Sequence, residues 1–136
     1  MDALDFVLKL HSGLRWIVIA ISLIALVWYL LAWQRKVNNE KADRALIAAF
    51  SGFIDLQVLI GIIYIIWDGL ATSEGFPFFR IAHGAAMIVA AVVAHMSRRW
   101  RTAEPQIRAR NNAGLIVVVL IIVGIGLAFL QLAPNN

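Results

Sequence analysis

Hydrophobic residues along the chain fall into four long runs, separated by short polar segments. The runs cover residues 13–33, 45–67, 78–96 and 113–132. Each run approaches the roughly 20 residues that a helix needs to cross a hydrocarbon core of about 30 Å. Lipid offers no hydrogen-bond partners, so the backbone of such segments must be helical. The pattern therefore predicts an all-α integral membrane protein, with residues 1–136 forming a single domain of four transmembrane helices.

The segments between the runs are short and contain residues that end helices. Gly69, Gly75 and Pro77 interrupt the second connection, and Pro105 interrupts the third. Short connections place consecutive helices side by side in opposite directions. The sequence therefore predicts an up-down-up-down four-helix bundle. The first run is too long for the apolar part of a cleavable signal peptide, so we expect it to be retained as a span.

Lysine and arginine are distributed unequally between the two ends of this bundle. The first and third connections hold Arg35, Lys36, Lys41, Arg44, Arg98, Arg99, Arg101, Arg108 and Arg110. The opposite side holds only Lys9, Arg15 and Arg80. Cytoplasmic loops of membrane proteins carry the excess of basic residues. The first and third connections are therefore predicted to be cytoplasmic, with both termini on the non-cytoplasmic side.

The composition excludes several classes of protein. Hydrophobic residues make up 62% of the chain and charged residues 15%, against about 45–50% and about 25% in soluble domains. There is no cysteine, which excludes disulfides, thiolate metal sites, iron–sulfur clusters and covalently attached c-type haem. The formal charge of +4 is confined to loops without interleaved aromatic residues, so we expect no nucleic acid partner.

Two of the three histidines are expected to lie at a similar depth in the membrane. His11 stands at the outer mouth of the first helix, and His83 lies about one and a half turns into the third helix from the same side. Two imidazoles from different helices can bind one iron from both faces, and such ligation favours electron transfer. His11 and His83 are therefore the predicted metal ligands of a non-covalent haem b, with Gly84 allowing the flat macrocycle to approach.

An arginine lies on the same helical face as each of these histidines. Arg15 follows His11 by four residues and Arg80 precedes His83 by three. A guanidinium group binds a carboxylate with two parallel hydrogen bonds, so Arg15 and Arg80 are the predicted partners of the haem propionates. Taken singly, each arginine could equally extend toward the lipid headgroups.

Three further polar side chains lie within the spans. His95 is about 18 Å along the helix from His83 and cannot share its haem, so it is either an interfacial residue or a contact for a quinone or a proton. Asp55 and Gln57 lie in the second span. Asp55 is expected to be protonated and hydrogen-bonded to a facing helix, for example to Ser22, or alternatively to carry a proton or contact a cofactor.

A resemblance adds to this interpretation. The segments LHSGLRW (residues 10–16) and DLQVLIG (residues 55–61), with the R-x-x-H pattern before Gly84, resemble a family of small bacterial four-helix membrane proteins described as cytochrome b-like or as uncharacterised. The resemblance covers most of the chain. It implies a multi-pass protein of the bacterial inner (plasma) membrane that binds haem b, with His11 and His83 matching the two histidines of the family.

The leading hypothesis is a haem b electron carrier that exchanges electrons with a quinone or a larger redox complex. The alternative is a haem-free structural or accessory subunit of a respiratory or photosynthetic membrane complex. A third hypothesis, a small transporter using Asp55 and Gln57, lacks the broken helices and repeats of such proteins. No catalytic constellation is present, which favours a carrier or subunit over an enzyme acting alone. The uncharged fourth helix is expected to face mainly lipid, and its small residues, Gly124, Gly126 and Ala128, would suit oligomer contacts.

Overall fold

A computed structural model describes residues 1–134 as four α-helices joined by short connections. The helices are α1 (Ala3–Arg35), α2 (Glu40–Ala71), α3 (Phe78–His95) and α4 (Pro105–Leu130), and a short 3₁₀ helix (Met96–Trp100) continues directly from α3. All four are long and apolar enough to cross a membrane, with α3 and the 3₁₀ helix counted together. The predicted all-α fold with four span-length helices is confirmed.

Three of the helices extend beyond the apolar runs because their ends are set by polar residues and proline. Asp2 caps α1 by accepting a hydrogen bond from the backbone amide of Asp5 at 2.7 Å. Asn39 caps α2 in the same way, through the amide of Ala42. Pro105 occupies the first turn of α4, where its missing N–H costs no hydrogen bond. An apolar run predicts the apolar part of a helix, but it does not predict the polar turns that come before that part.

Each helix packs mainly against two neighbours, so that α1 and α3 both lie between α2 and α4. Two hydrogen bonds define the register of α1 and α2. Gln57 donates to the backbone carbonyl of His11, and Trp28 Nε1 donates to Asp43 Oδ1. The start of α1 therefore lies beside the second half of α2, and the end of α1 lies beside the start of α2.

The fully buried apolar core occupies only one half of the bundle, the half nearest the basic connections. Many of its members are alanines, which allow helices to approach closely. The core consists of Ala25, Tyr29, Ala32, Phe50, Ile54, Ala90, Ala94, Ala109, Ala113, Leu115, Ile116 and Val119. Among residues 1–134, no member of this core comes from the half that contains His11 and His83. The two histidines thus lie in the more loosely packed half of the bundle.

The expectation that the fourth helix faces mainly lipid stays a prediction, although this helix is as well covered by its neighbours as α1. This helix, α4, has seven fully buried residues, against four each in α1 and α2 and two in α3. Gly126 is among them, because it packs against Met87 of α3. The apolar run of residues 113–132 carries no charge and so has no polar face to indicate its orientation. The sequence alone therefore does not show how much of this run is covered by neighbouring helices.

Candidate functional site

The side chains of His11 in α1 and His83 in α3 meet inside the bundle. Their ring centroids are 6.4 Å apart and the ring planes are inclined by 87°. An imidazole nitrogen binds a metal at about 2.0–2.1 Å and lies roughly 1 Å from its ring centroid, so two rings on opposite sides of one ion have centroids about 6 Å apart. The structure therefore brings these two histidines to the separation that one shared metal ion requires.

His83 is held in one orientation by the backbone of α4. Its Nδ1 lies 2.9 Å from the carbonyl oxygen of Gly126. A carbonyl can only accept, so Nδ1 carries the proton and donates it, which leaves Nε2 of a neutral ring with a free lone pair. Histidines that bind metals usually donate their second ring N–H to a carbonyl or carboxylate in this way. The backbone contact thus prepares His83 to act as a ligand through Nε2.

His11 is held by α2. Gln57 Nε2 donates to the backbone carbonyl of His11 at 2.8 Å and lies 3.5 Å from His11 Nε2. Gly61, one turn further along α2, allows the ring to approach, because a Cβ atom at this position would lie 2.9 Å from His11 Cε1. His11 Nδ1 and Gln57 Oε1 are buried and have no hydrogen-bond partner among residues 1–134. Such orphaned atoms are rare in folded proteins, and they suit a polar group supplied by a ligand.

Two cavities adjoin the histidine pair. One has a volume of about 750 Å³, with the open space at its mouth included, and extends past Arg15 and Gln57. The other has a volume of about 560 Å³, counted in the same way, and extends past Tyr64 and Arg80. Four side chains line both cavities: Leu8, His11, His83 and Leu130. Openings therefore lie on two sides of the line that joins the histidines.

Arg15 lines the larger cavity and has no carboxylate partner. Its guanidinium carbon lies 5.3 Å from the centre of the Trp16 ring. None of the salt bridges formed within residues 1–134 includes Arg15. The five N–H donors of its guanidinium group are free of any carboxylate in this part of the chain, so Arg15 is suited to bind an anionic group of a ligand in the cavity.

Arg80 lines the smaller cavity but already contacts two carboxylates of the protein. It forms a salt bridge to Asp68, which is buried, and a second one to Glu74 at 2.9 Å. A guanidinium group has five N–H donors, so donors remain for a third acceptor. The structure thus places Arg80 beside the histidine pair, with much of its charge already compensated by Asp68 and Glu74.

Gly84, predicted to face the macrocycle, lies against α2 instead of lining either cavity. A Cβ atom at this position would lie 3.0 Å from Ile65 Cδ1. The glycines next to the histidine rings are Gly61 and Gly126, and the sequence related neither of them to the histidines. Gly126 was expected to suit oligomer contacts, but it packs against α3 within the bundle. Gly126 is in the fourth helix, and nothing in the sequence relates it to His83. Gly61 could have been found from the sequence, because it belongs to the DLQVLIG segment that carries the family resemblance.

Asp55 and His95 form a pair on the outside of α2 and α3. His95 Nε2 lies 2.8 Å from Asp55 Oδ2, and the two side chains are 34% and 48% exposed, with His95 the less exposed. The expected hydrogen bond between Asp55 and a facing helix is present, but its partner is His95. Ser22, the suggested partner, donates to the backbone carbonyl of Val18 within its own helix. The reason is helical geometry. Asp55 is two residues from Gln57 and therefore about 200° around α2 from the side that faces α1.

Metal sites built only from protein ligands have little support in the described part of the chain. No three side chains of the types His, Cys, Asp and Glu gather within residues 1–134. A haem supplies four equatorial ligands of its own and takes only one or two from the protein. The histidine pair and the two cavities therefore fit a haem better than a bare metal ion.

Comparison of the chain with protein-family models, with curated proteins and with solved structures finds no match.

Proposed function

We propose that this protein is a membrane haem b protein in which His11 and His83 are the two axial ligands and which acts in electron transfer. The observation that carries the proposal is the pair of imidazole rings with centroids 6.4 Å apart, supplied by two different helices. The hydrogen bond from His83 Nδ1 to the carbonyl of Gly126 leaves Nε2 free for iron. Ligation on both faces leaves no open iron position, which favours electron transfer over oxygen chemistry.

Packing around the histidines also supports the proposal. The fully buried apolar core occupies the opposite half of the bundle, while cavities of about 750 and 560 Å³ adjoin the histidine pair. When bound, haem would supply one-electron redox chemistry. The chain would supply the two ligands, an apolar enclosure, and cations for the propionates. Arg15 is the stronger propionate partner because it is unpaired, and Arg80 is the second because Asp68 and Glu74 share its donors.

The proposal includes insertion in the bacterial inner (plasma) membrane as an up-down-up-down bundle with both termini outside. Four helices of span length support insertion. The contacts from His11 to Gln57 and from Trp28 to Asp43 support antiparallel packing of α1 and α2. The excess of lysine and arginine in the first and third connections supports the orientation. Membership of the cytochrome b-like family that the LHSGLRW segment resembles belongs to the same proposal.

We further propose that the electron partner is a membrane quinone or a larger redox complex. Quinone reduction consumes protons as well as electrons, and the Asp55–His95 pair offers groups that exchange protons. This pair is partly exposed on the outside of the bundle, where a quinone dissolved in the bilayer could reach it. Oligomer contacts through α4 would use Gly124, which has no side-chain neighbour within 4 Å of its Cβ position.

The optical spectrum of protein purified in detergent tests the haem proposal. We expect one haem b per chain, with a sharp α band and a Soret shift in the reduced-minus-oxidised spectrum that are typical of ligation by two histidines. Apoprotein titrated with haemin should reach the same stoichiometry. A folded, colourless preparation that also fails to take up haemin would contradict the proposal. If such a preparation co-purified with large redox subunits, the alternative of a haem-free accessory subunit would be favoured.

Substitution of Gly61 by alanine tests the close packing of His11. The new methyl group would lie 2.9 Å from His11 Cε1 and 3.3 Å from Nδ1, so the ring must move by several tenths of an ångström. We expect haem affinity to fall about tenfold, because groups that orient a metal ligand typically contribute about 10–100-fold. The matched control is Gly52→Ala in the same helix, where nothing lies within 4 Å of the Cβ position. Equal haemin titrations of the two variants would show that His11 is not a ligand held in this position.

A further inference from the structure

Four arginines converge on one cavity at the end of the bundle opposite to the histidines. The cavity has a volume of about 420 Å³ and lies between the start of α2, the 3₁₀ helix and the start of α4. A more open cavity of about 960 Å³ adjoins it and shares three of the arginines. The arginines of the first cavity are Arg44, Arg98, Arg101 and Arg108. We refer to the two cavities together as the arginine pocket.

The 3₁₀ helix explains why two of these arginines point the same way. A 3₁₀ helix has three residues per turn, so side chains three positions apart lie on the same side. Arg98 lies in this helix and Arg101 is its C-terminal capping residue. Trp100 Nε1 donates to Asn112 Oδ1 of α4 at 2.7 Å, which fixes the rotation of the 3₁₀ helix against α4. The fold therefore holds Arg98 and Arg101 on one side of the 3₁₀ helix, which a general excess of basic residues in a loop would not do.

The charge in the arginine pocket is not balanced by the protein. Arg108 pairs with Asp43 and Arg44 pairs with Glu40. Arg98 and Arg101 take part in none of the salt bridges formed within residues 1–134. Arg108 Nε is buried and has no hydrogen-bond partner in the same part of the chain. Two positive charges and one buried donor are thus left for a ligand.

We propose that the arginine pocket binds a phosphate group, carried either by an anionic phospholipid headgroup or by a soluble phosphate compound. Guanidinium groups bind phosphate oxygens with paired hydrogen bonds, more specifically than lysine does. Basic pockets between helices on the cytoplasmic side of membrane proteins bind acidic lipid headgroups. This site is separate from the histidine pair, so its test is independent of the haem proposal.

Lipid binding to the detergent-purified protein, measured by native mass spectrometry, tests the site. We expect one molecule of phosphatidylglycerol to bind saturably, in preference to zwitterionic phosphatidylethanolamine. The double variant R98Q/R101Q should bind it about thirtyfold more weakly, since each basic residue near an anionic lipid contributes about fivefold. The matched control is R35Q/K36Q, which removes two charges from the first connection without touching the pocket. Both double variants should keep the thermal unfolding midpoint of the parent protein.

A competition experiment distinguishes the two sources of phosphate. If millimolar inorganic phosphate displaces phosphatidylglycerol from the parent protein, and its own binding is lost in R98Q/R101Q, the ligand is a soluble phosphate compound. If phosphate does not compete, the ligand is the lipid headgroup. The proposal is overturned if the affinity for phosphatidylglycerol falls equally in the two double variants, because the general positive charge then explains the binding. The proposal is also overturned if neither double variant binds phosphatidylglycerol more weakly than the parent protein.

Discussion

Replacing His83 with alanine should leave a folded protein that binds haem at least about a hundredfold more weakly, since even groups that only orient a ligand contribute about 10–100-fold. The substitution removes the proposed iron ligand, which is also the group that the carbonyl of Gly126 holds in place. His11→Ala should have the same effect, because its ring faces His83 with a centroid separation of 6.4 Å. The measurement is haemin titration of each variant, followed through the α and Soret bands.

Two controls separate ligation from general damage. His95→Ala should keep the full haem content, because His95 contacts Asp55 on the outside of the bundle and is remote from both cavities. Glycine variants at positions 11 and 83 leave space for added imidazole, which should restore the spectrum of two-histidine ligation. A His83→Ala protein that keeps an unchanged spectrum would show that this residue is not a ligand. An unchanged spectrum of the His11→Ala protein would show that a residue other than His11 is the second ligand.

The four helices were predictable because lipid leaves so few alternatives for a long apolar run. Breakers such as Gly75 and Pro105 showed where the connections lie. The helix ends were less predictable, since Asp2 and Asn39 extend α1 and α2 through polar first turns that no hydropathy pattern marks. The buried side of the fourth helix was not predictable for a related reason, because an all-apolar segment has no polar face that tells which side is buried.

The pairing of His11 with His83 was predictable because depth along antiparallel helices can be counted from the sequence. The same counting could have found the Asp55–His95 pair. Asp68 meets Arg80 across the connection between α2 and α3, and moving back along α2 while moving forward along α3 brings Asp55 level with His95. The roles of Gly61 and Gly126 were beyond this method, since they depend on rotation of each helix about its axis and not on depth.

The buried polar network around Asp43 was not predicted from the sequence. Asp43, only 3% exposed, forms a salt bridge with Arg108 at 3.0 Å and accepts a hydrogen bond from Trp28 Nε1 at 2.7 Å. Its backbone carbonyl accepts another from the Tyr29 hydroxyl. From composition alone, Asp43 and Arg108 would be assigned to charged connections, and Trp28 and Tyr29 to aromatic residues at the membrane interface. They are joined because α2 and α4 both begin before their apolar runs and carry their first turns into the bundle.

Replacing Arg108 with alanine should lower the free energy of unfolding by about 3–5 kcal/mol, because it leaves the Asp43 carboxylate buried without its counter-charge. The control is Arg44→Ala, which breaks the ion pair with Glu40. That pair is shorter, at 2.6 Å, but its side chains are 72% and 62% exposed. An exposed pair four residues apart on a helix contributes only about 0.3–0.5 kcal/mol. Burial, and not distance, should therefore decide which substitution destabilises the bundle.

The double variant D43N/R108L distinguishes an uncompensated charge from lost packing. The asparagine side chain would still accept the hydrogen bond from Trp28, and the leucine side chain would fill much of the space of the arginine stem. Replacing a buried ion pair with groups of similar volume is often close to neutral, so we expect the double variant to recover most of the stability lost in Arg108→Ala. Unfolding in mixed detergent micelles, followed by tryptophan fluorescence, provides the measurement. If the double variant is as unstable as Arg108→Ala, packing of the arginine side chain stabilises this end of the bundle and the charge of Asp43 does not explain the loss.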